Sequence, residues 1–483
     1  MLREQVTKNE LPSILDMDAT SLAKKIKNKH LTSYEVVSAY IDHIYNVNPA
    51  LNAVVEDRFT DALQEAKAID EQHATIKGPL HGVPMTIKES FDVKGMKTTG
   101  GLIHRQDLII KQDSEVVKRL RRAGAIILGK TNTPTLCYCQ ETDNKVYGQT
   151  NNPWDVTRSA GGSSGGEGAI LASGGAAVGL GSDIGGSIRF PSHLNGVVGF
   201  KSGMNQIPQT GHFPLATLPL QQRMLGFGPM GKSVRDMELL YKIIARDSPV
   251  DQTLQNFYVQ FLPITNVGFP LSEETKNILI QIKEFLSTSF PIREETPPYF
   301  NESAQLWQEI MSLDGGKSMK EAAFIKDQTK PITEYMREKM RGTSQYHKYF
   351  TWALFGANLF RPSNRRIKEI ETIIHNGDQI IKQYLRNRLL IFPVYHSGAR
   401  VHGKLYKELF SIRKTFLIYM PYVAYANVWG LPSLVIPVAT DADGMPISIQ
   451  IMSTNGNETA LFKLGTIIEK RFQGYVRSTN FDA

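Results

Sequence analysis

Cysteine is almost absent from this chain, which has only Cys137 and Cys139 among its 483 residues. One residue separates the two, which is too close for an ordinary structural disulfide, and two thiolates are too few for a cysteine-based zinc site. No metal site is predicted. The N-terminus also lacks the apolar segment of a secretory signal. We therefore expect a reducing, cytoplasmic location.

Long blocks of like charge are missing as well. The 55 Lys and Arg residues exceed the 47 Asp and Glu residues, and the resulting net charge of +8 is spread along the chain. Because nucleic-acid-binding proteins usually cluster their basic residues, no nucleic-acid partner is predicted. The hydrophobic fraction of 41% is typical of a folded globular protein.

The uncharged stretch 415–439 is by length alone enough to cross a bilayer. Pro421, Asn427, Gly430, Pro432 and Pro437 interrupt it, and this pattern predicts a buried helix, a turn and a strand instead. No transmembrane segment is predicted. The chain also shows no internal repeat and no low-complexity linker, so residues 1–483 are expected to form one domain.

Strand-like and helix-like segments alternate along the chain, which is typical of an α/β fold. The first 75 residues are predicted to be helical, with a capping box formed by Thr32 and Glu35. Residues 250–388 are predicted to be a mostly helical variable insertion, without recognisable chemistry. The other predicted segments are strands at 83–87, 125–129, 389–394 and 434–438, helices at 117–123 and 272–285, and a loop at 148–168.

Glycine, by contrast, is concentrated in one segment. Residues 161–186 contain eleven glycines, together with Ser163 and Ser164, and Ser187 follows directly. Because glycine has no side chain, such a segment lets peptide N–H groups approach a ligand closely. The segment therefore predicts a site that holds a small group against the backbone.

Two nucleotide-binding motifs do not fit this segment. Gly179, Gly181 and Gly185 are spaced G-x-G-x-x-x-G, one residue longer than the dinucleotide fingerprint, and no acidic residue lies between Asp183 and Asp236 to bind a ribose. A Walker loop would end in Gly-Lys-Ser or Gly-Lys-Thr, which is not found here. No cofactor is predicted.

Two arrangements for nucleophilic catalysis remain open from the residues alone. In the first, Ser163 or Ser164 is the nucleophile of a G-x-S-x-G elbow, although the polar segment 154–160 does not resemble the strand that an elbow requires. The histidines available to it are His347, His375, His396 and His402. In the second, Ser187 is the nucleophile, and backbone N–H groups around it bind an oxyanion. The second arrangement has no evident base.

The chain resembles the amidase signature family from about residue 20 to residue 471. The motifs that carry the resemblance are Gly82-Val83-Pro84 leading to Lys88, Gly129-Lys130-Thr131-Asn132-Thr133-Pro134, Gly148-Gln149-Thr150-Asn151-Asn152-Pro153-Trp154, both serine stretches, Gly430-Leu431-Pro432 and Gly444-Met445-Pro446. The resemblance implies a single large α/β domain, with a mixed twisted β-sheet covered by helices on both faces. Residues 82–200 would form its catalytic core.

The resemblance also implies an activity and a catalytic triad. The reaction would be hydrolysis of a carboxylic amide through an acyl-serine intermediate, with release of ammonia or an amine and with some activity on esters. Ser187 would be the nucleophile, Ser163 the bridging serine with a cis peptide bond, and Lys88 the base. Lys88 must be neutral to accept a proton, so the neighbouring Glu89 would have to point away.

Other residues receive supporting roles: the pocket residues come from the resemblance, and the remaining roles come from the residue pattern itself. The oxyanion hole would consist of the backbone N–H groups of Ile184, Gly185, Gly186 and Ser187. Cys137 and Tyr138 would line a pocket for an apolar acyl or aryl group of a small-molecule amide. Ser164 would cap a helix beginning at Glu167, Asp183 would fix the turn before Ser187, and Arg189 would anchor the loop. A homodimer is left open.

Within the family, residues 211–216 are closest to the fatty acid amide hydrolase branch, whereas residues 199–203 depart from the usual Gly-Leu-Lys-Pro-Thr. The alternative in the family is the A subunit of glutamyl-tRNA amidotransferase. That subunit has different residues at positions 143–148 and around the nucleophile, where this chain has Ile184 and Phe190. A third alternative, from another class, is an inactive binding scaffold with the same fold.

Overall fold

The structure is a computed structural model that describes residues 11–71, 78–263, 270–325, 329–410 and 413–482. Across these residues eleven strands form one sheet. The strands are β1 (Val54–Asp57), β2 (Pro84–Lys88), β3 (Ile126–Thr131), β4 (Val178–Asp183), β5 (Val198–Lys201), β6 (Gly226–Gly231), β7 (Tyr258–Phe261), β8 (Ile292–Glu294), β9 (Arg388–Pro393), β10 (Ser433–Thr440) and β11 (Pro446–Met452).

The described helices precede, connect and follow these strands. They are α1 (Leu11–Asp16), α2 (Ala19–Lys27), α3 (Ser33–Leu51), α4 (Phe59–Glu71), α5 (Glu115–Arg122), α6 (Gly165–Ala172), α7 (Arg189–Asn195), α8 (Pro219–Met224), α9 (Val234–Ile244), α10 (Glu273–Ser287), α11 (Ser303–Met311), α12 (Lys317–Ala323), α13 (Pro331–Arg341), α14 (Lys348–Leu359), α15 (Asn364–Tyr384), α16 (Lys404–Phe410), α17 (Arg413–Tyr419), α18 (Pro421–Val428) and α19 (Glu458–Arg471).

The sheet is mixed, in the order β1-β3-β2-β4-β6-β5-β10-β11-β9-β7-β8. Strand β2 runs parallel to both of its neighbours, β3 and β4, whereas β4, β6, β5, β10, β11 and β9 pair antiparallel in turn. The predicted mixed sheet is thus confirmed, and so is the return of the C-terminal part to the sheet through β9, β10 and β11. Region 250–388 is mostly helical but also adds β7 and β8 at one edge.

Each face of the sheet carries its own apolar core, because successive side chains of a strand point to opposite faces. In β10, Leu434 and Ile436 pack into a core shared with helices α9 and α19, whereas Val435 packs into a second core shared with α18. All three side chains are fully buried. Burial of such a side chain stabilises the fold by about 1.5–3 kcal/mol. Helices therefore cover both faces, as predicted.

Several predicted segments are confirmed with shifted boundaries. The capping box is present: the Thr32 hydroxyl accepts a hydrogen bond from the Glu35 N–H at 3.1 Å, and the Glu35 carboxylate accepts one from the Thr32 N–H at 2.7 Å. The helical N-terminal region also contains the strand β1, and its residues 1–10 and 72–75 lie outside the described residues. The stretch 415–439 folds as the end of α17, then α18, a turn and β10.

The loop predicted at 148–168 is wrong at its end, because α6 begins at Gly165. The helix predicted from Glu167 thus begins two residues earlier, although glycine is a poor helix former. Packing explains it: a Cβ on Gly166 would lie 2.4 Å from the Asn132 nitrogen and 2.7 Å from the Ala53 oxygen. Only glycine allows the helix to approach these two backbones.

Among the described helices, none combines the length and the apolar composition that a bilayer span requires.

Candidate active site

Lys88 is the last residue of β2, a strand with a parallel neighbour on each side, and its side chain is fully buried. Its Nζ lies 2.6 Å from the Ser163 Oγ and 2.9 Å from the Ser182 Oγ. Burial lowers the pKa of Lys88 below its ordinary value, and the neighbouring Cys137 thiol and the Asp183 carboxylate oppose this shift only in part. The lysine therefore favours its neutral form more than an exposed lysine does.

The carboxylates closest in sequence and space are engaged elsewhere. Glu89 points away from Lys88, as the sequence argument required, and accepts hydrogen bonds from the N–H groups of Thr99 and Gly100. Glu167 accepts hydrogen bonds from the hydroxyls of Thr86 and Thr131, the latter at 2.7 Å. Burial raises the pKa of Glu167 to about 7. Neither carboxylate is hydrogen-bonded to the lysine.

Ser163 lies in the turn before α6, is fully buried, and follows a cis peptide bond from Gly162. The next residue, Ser164, occupies the N-cap position of α6, but its side chain makes no capping hydrogen bond, so the predicted side-chain cap is wrong. Its hydroxyl instead donates to the Ser182 carbonyl at 3.5 Å, and its N–H donates to the Ser187 carbonyl at 3.1 Å. Ser164 thereby connects the two serine stretches.

Ser187 follows the loop after β4, and Asp183 organises this loop. The Asp183 carboxylate accepts hydrogen bonds from the N–H groups of Gly186 at 2.8 Å and Ile188 at 3.1 Å, and from the Arg189 Nε at 3.0 Å. Burial alone would raise the pKa of Asp183. The Arg189 guanidinium lowers it by more than burial raises it, so the pKa lies far below its usual range. The turn before Ser187 is thus built around an ionised carboxylate.

Arg189 is fully buried and ties this loop to helix α18. Besides Asp183, its guanidinium donates to the Val423 carbonyl at 2.9 Å, to the Gln450 side-chain oxygen at 3.2 Å and to the Asn427 side-chain oxygen. These partners fill its donor positions. The geometry is that of a loop anchor.

The four backbone N–H groups predicted for the oxyanion hole are not equivalent. The Gly186 N–H already donates to the Asp183 carboxylate at 2.8 Å. Among the described residues, no hydrogen-bond acceptor is found for the N–H groups of Ile184, Gly185 and Ser187. The carbonyls of Ile184 and Gly185 are held by Trp307 Nε1 at 2.7 Å and by Gln140 Nε2 at 3.1 Å. Three donors therefore remain for an anion.

Ser187 lies between two cavities. The smaller one is lined by Ser163, Ser182, Ser187 and His212, and thus contains the polar groups around Lys88. The larger one, about 1050 Å³ with its open mouth, is mostly apolar. Side chains that line the larger cavity include Cys137, Tyr138, Trp307, Met311, Trp352, Phe355, Leu409 and Phe416. The predicted pocket residues Cys137 and Tyr138 border both cavities.

Sequence reasoning missed two groups of site residues. Trp307, Trp352 and Phe355 come from the region 250–388, to which no chemistry was assigned, although that region holds two of the four tryptophans of the chain. Ser182, which contacts the lysine, and His212, which contacts Ser182, were also missed. Their signals were weak: Ser182 is one more serine in the glycine-rich segment, and His212 is a single histidine in a loop.

The elbow alternative is not supported. The segment 154–160 forms no strand before the serines. His347 pairs with Asp143, His396 pairs with Glu408, and His402 contacts the Val156 carbonyl, whereas His375 is exposed on α15. In the described ranges, no three His, Cys, Asp or Glu side chains are grouped as a metal site would need.

Lys88 thus lies buried beside the hydroxyls of Ser163 and Ser182, at the end of a strand of a mixed sheet. The sequence profile of the family described as Amidase matches residues 35–462. The chain belongs to this family, as the sequence analysis predicted, and is an amidohydrolase acting on carbon–nitrogen bonds other than peptide bonds.

Two relatives align with almost the whole length of this chain. It is 32% identical to fatty-acid amide hydrolase 2-A of Danio rerio, over 96% of this chain and 90% of that protein. It is 30% identical to an acylamidase of Rhodococcus erythropolis, over 94% of this chain and 95% of that protein. The structure of 6-aminohexanoate cyclic dimer hydrolase superposes with a TM-score of 0.80 at 22% identity, covering 97% of this chain and all of that one. This last similarity supports the fold.

Proposed function

We propose that this chain hydrolyses carboxylic amides through an acyl intermediate on Ser187, with Ser163 as bridging serine and Lys88 as base. The observation that carries the proposal is the contact between a fully buried lysine nitrogen and a buried serine hydroxyl, 2.6 Å apart, in the cavity that Ser187 lines. A neutral amine in that position accepts a proton from the hydroxyl.

The proposed reaction moves one proton along these three side chains. Neutral Lys88 takes the proton of Ser163, and Ser163 takes the proton of Ser187, whose oxygen attacks the carbonyl carbon of the amide. The proton then returns along the same path to the nitrogen of the leaving group, and the carbon–nitrogen bond breaks. Water attacks the resulting ester in a second round and releases the acid and free Ser187.

Negative charge develops on the carbonyl oxygen during each attack. We assign its stabilisation to the backbone N–H groups of Ile184, Gly185 and Ser187, since these three lack an acceptor among the described residues. Glycine is required at position 185 because a Cβ there would lie 2.5 Å from the Trp307 ring. Esters are expected to react as well, since their leaving group needs less protonation.

The larger cavity supports an apolar acyl or aryl group in the substrate. Its walls include aromatic and aliphatic side chains from α11, α14, α16 and α17, and Ser187 is also among its lining residues. Such walls do not offer the charged partners that the zwitterionic end of glutamine would need, so the amidotransferase alternative is less favoured. We also propose a cytoplasmic location, where Cys137 and Cys139 stay reduced. A homodimer stays a prediction.

The test is amine release from acyl anilides of increasing chain length. We expect activity that rises with acyl length up to the capacity of the cavity, and its loss in Ser187→Ala. Ser173→Ala is the matched control, because Ser173 is also buried and its hydroxyl donates to the Ile170 carbonyl, away from the cavities. Full activity in Ser187→Ala, or activity only on glutamine, would contradict the proposal.

A further inference from the structure

His212 lies beside the lysine although it is remote from it in sequence. Its loop is held against the segment that follows β2: the Phe213 N–H donates to the Ser90 carbonyl and the Asp92 N–H to the Gly211 carbonyl, both at 2.8 Å. The imidazole is buried and packs against the rings of Phe91 and Phe227, with centroid distances of 5.0 and 4.8 Å. The ring is therefore fixed in place.

The two ring nitrogens of His212 have different partners. Nδ1 lies 3.0 Å from the Pro214 carbonyl oxygen, and Nε2 lies 3.1 Å from the Ser182 Oγ. Burial, together with the nearby Lys88, lowers the pKa of His212 to about 3, so the ring is neutral. A carbonyl oxygen only accepts hydrogen bonds, so the single ring proton lies on Nδ1 and Nε2 is an acceptor.

This tautomer fixes the direction of the next two hydrogen bonds. Since Nε2 accepts, the Ser182 hydroxyl donates its only proton to His212. The same hydroxyl then faces Lys88, 2.9 Å away, as an acceptor, and Lys88 donates one N–H to it. A neutral lysine has one lone pair. That lone pair is left for the Ser163 hydroxyl at 2.6 Å.

We propose that His212 is a positioning residue that, acting through Ser182, directs the lone pair of neutral Lys88 toward Ser163. The inference rests on the proposed function, because it assigns His212 a part in preparing the base. Without the acceptor at Nε2, the Ser182 hydroxyl is free to turn and donate to Lys88. It then competes with Ser163 for the lone pair, and fewer molecules are ready for proton transfer.

The variants His212→Phe and His212→Gln separate this role from packing. Phenylalanine keeps a buried ring but has no acceptor, whereas glutamine offers a carbonyl to Ser182 and an N–H group to Pro214. We expect kcat on an anilide to fall about tenfold or more in His212→Phe, part of the 10²–10⁴-fold that a positioned base contributes. KM is expected to stay constant, and His212→Gln to recover most of kcat. His43→Phe, at a buried histidine that contacts the Ser173 carbonyl, is the matched control.

A double-mutant cycle with Ser182→Ala tests whether His212 acts on Lys88 through Ser182. If His212 acts through Ser182, then His212→Phe changes kcat by no more than about twofold in the Ser182→Ala background. Independent losses that multiply would overturn the proposal, as would wild-type kcat in His212→Phe. Retained activity in Lys88→Met would instead contradict the proposed function itself, so the two failures are distinguishable.

A measurement on the wild-type protein does not depend on activity or on the folding of a variant. In ¹⁵N-histidine-labelled protein, the ring signals of His212 are identified by their loss in His212→Gln. We expect a neutral ring with the proton on Nδ1. A cationic ring, or a proton on Nε2, would overturn the proposal whatever the kinetics show.

Discussion

Lys88 and Lys130 are both fully buried on neighbouring parallel strands, yet their hydrogen-bond partners differ. The Lys130 Nζ donates to the Lys97 carbonyl and to the Thr98 hydroxyl at 2.9 Å. The Lys88 Nζ contacts two hydroxyls. A carbonyl oxygen has no proton to give, whereas a hydroxyl can donate as well as accept. Both partners of Lys88 can therefore donate a proton, whereas only one partner of Lys130 can, so burial alone does not distinguish the two lysines.

Burial lowers the pKa of both lysines, and the carboxylates that oppose this shift differ. For Lys130 they belong to Glu89 and Glu56, whereas Lys88 is opposed by the Cys137 thiol and then by Asp183. Asp183 is already paired with Arg189. We therefore interpret Lys130 as a residue that holds segment 97–98 in place, and we propose Lys88 as the base.

The largest effect is expected from replacing each lysine by methionine. Lys88→Met should lower kcat on an anilide by about 10³-fold, within the range for a positioned general base, and less on an activated ester. Lys130→Met leaves the Lys97 carbonyl without its donor and should cost about 1–3 kcal/mol of unfolding free energy, with kcat unchanged. Steady-state kinetics measure kcat, and denaturant unfolding measures stability, for both variants. Equal losses of kcat would contradict the difference between the two lysines.

A smaller loss is expected from Ser163→Ala. Removing the bridging hydroxyl should lower kcat by about 10²-fold, because water can replace part of the proton path. Thr98→Ala, which removes the hydroxyl partner of Lys130, is the control and should keep wild-type kcat. Both are compared on the same anilide, and full activity in Ser163→Ala would contradict the proton path through that serine.

The pH dependence of kcat/KM should also separate the two lysines. Lys88 acts only when neutral, so kcat/KM should rise with pH up to the pKa of Lys88, which burial places below its ordinary value of 10.5. Below that pKa the rise should be about tenfold per pH unit. Lys130→Met should keep this rising limb of the pH profile. The residual ester hydrolysis of Lys88→Met should not show it. A limb that persists in Lys88→Met would belong to another group.

Stability should depend on pH in the same direction for both lysines. Each has a lowered pKa in the folded state, so between that pKa and 10.5 the unfolded chain binds more protons. The free energy of unfolding therefore rises with pH in this window and falls as pH decreases through it. Denaturant melts of wild type and of each methionine variant measure the slope, which should decrease in both variants. An unchanged slope would mean that the lysine is charged in the folded protein.

The smallest effect is expected from Thr98→Val. This change removes one hydrogen bond to Lys130 and keeps the shape of the side chain, so the free energy of unfolding should fall by about 1 kcal/mol. Denaturant unfolding measures the loss, and kcat serves as the internal control. A fall in kcat would show that the surroundings of Lys130 also affect the chemistry.

The sequence predicts the parts of this site that local patterns encode. Lys88 ends an apolar run, which places it at the end of a buried strand, and the glycine-rich segment predicts backbone close to a ligand. The walls of the larger cavity could not be predicted, because Trp307 and Trp352 come from helices distant in sequence that meet Ser187 only after folding. The hydrogen bond from the Gly186 N–H to Asp183 could not be predicted either, because it depends on the exact conformation of the turn.

His212 is the clearest example of a site residue that the sequence does not predict. Its loop reaches Lys88 through backbone pairing with the segment after β2, and no spacing in the sequence indicates that pairing. The difference between Lys88 and Lys130 is also invisible in the sequence, since both are single lysines in apolar surroundings. Their roles depend on which oxygens the fold places next to them.

The most direct test of the account is the intact mass of the protein after incubation with a fluorophosphonate. We predict a single adduct on the wild type, none on Ser187→Ala, much slower labelling of Lys88→Met, and labelling of Lys130→Met at the wild-type rate. An adduct that survives Ser187→Ala, or equal labelling rates in Lys88→Met and the wild type, would contradict the claim that Lys88 activates Ser187.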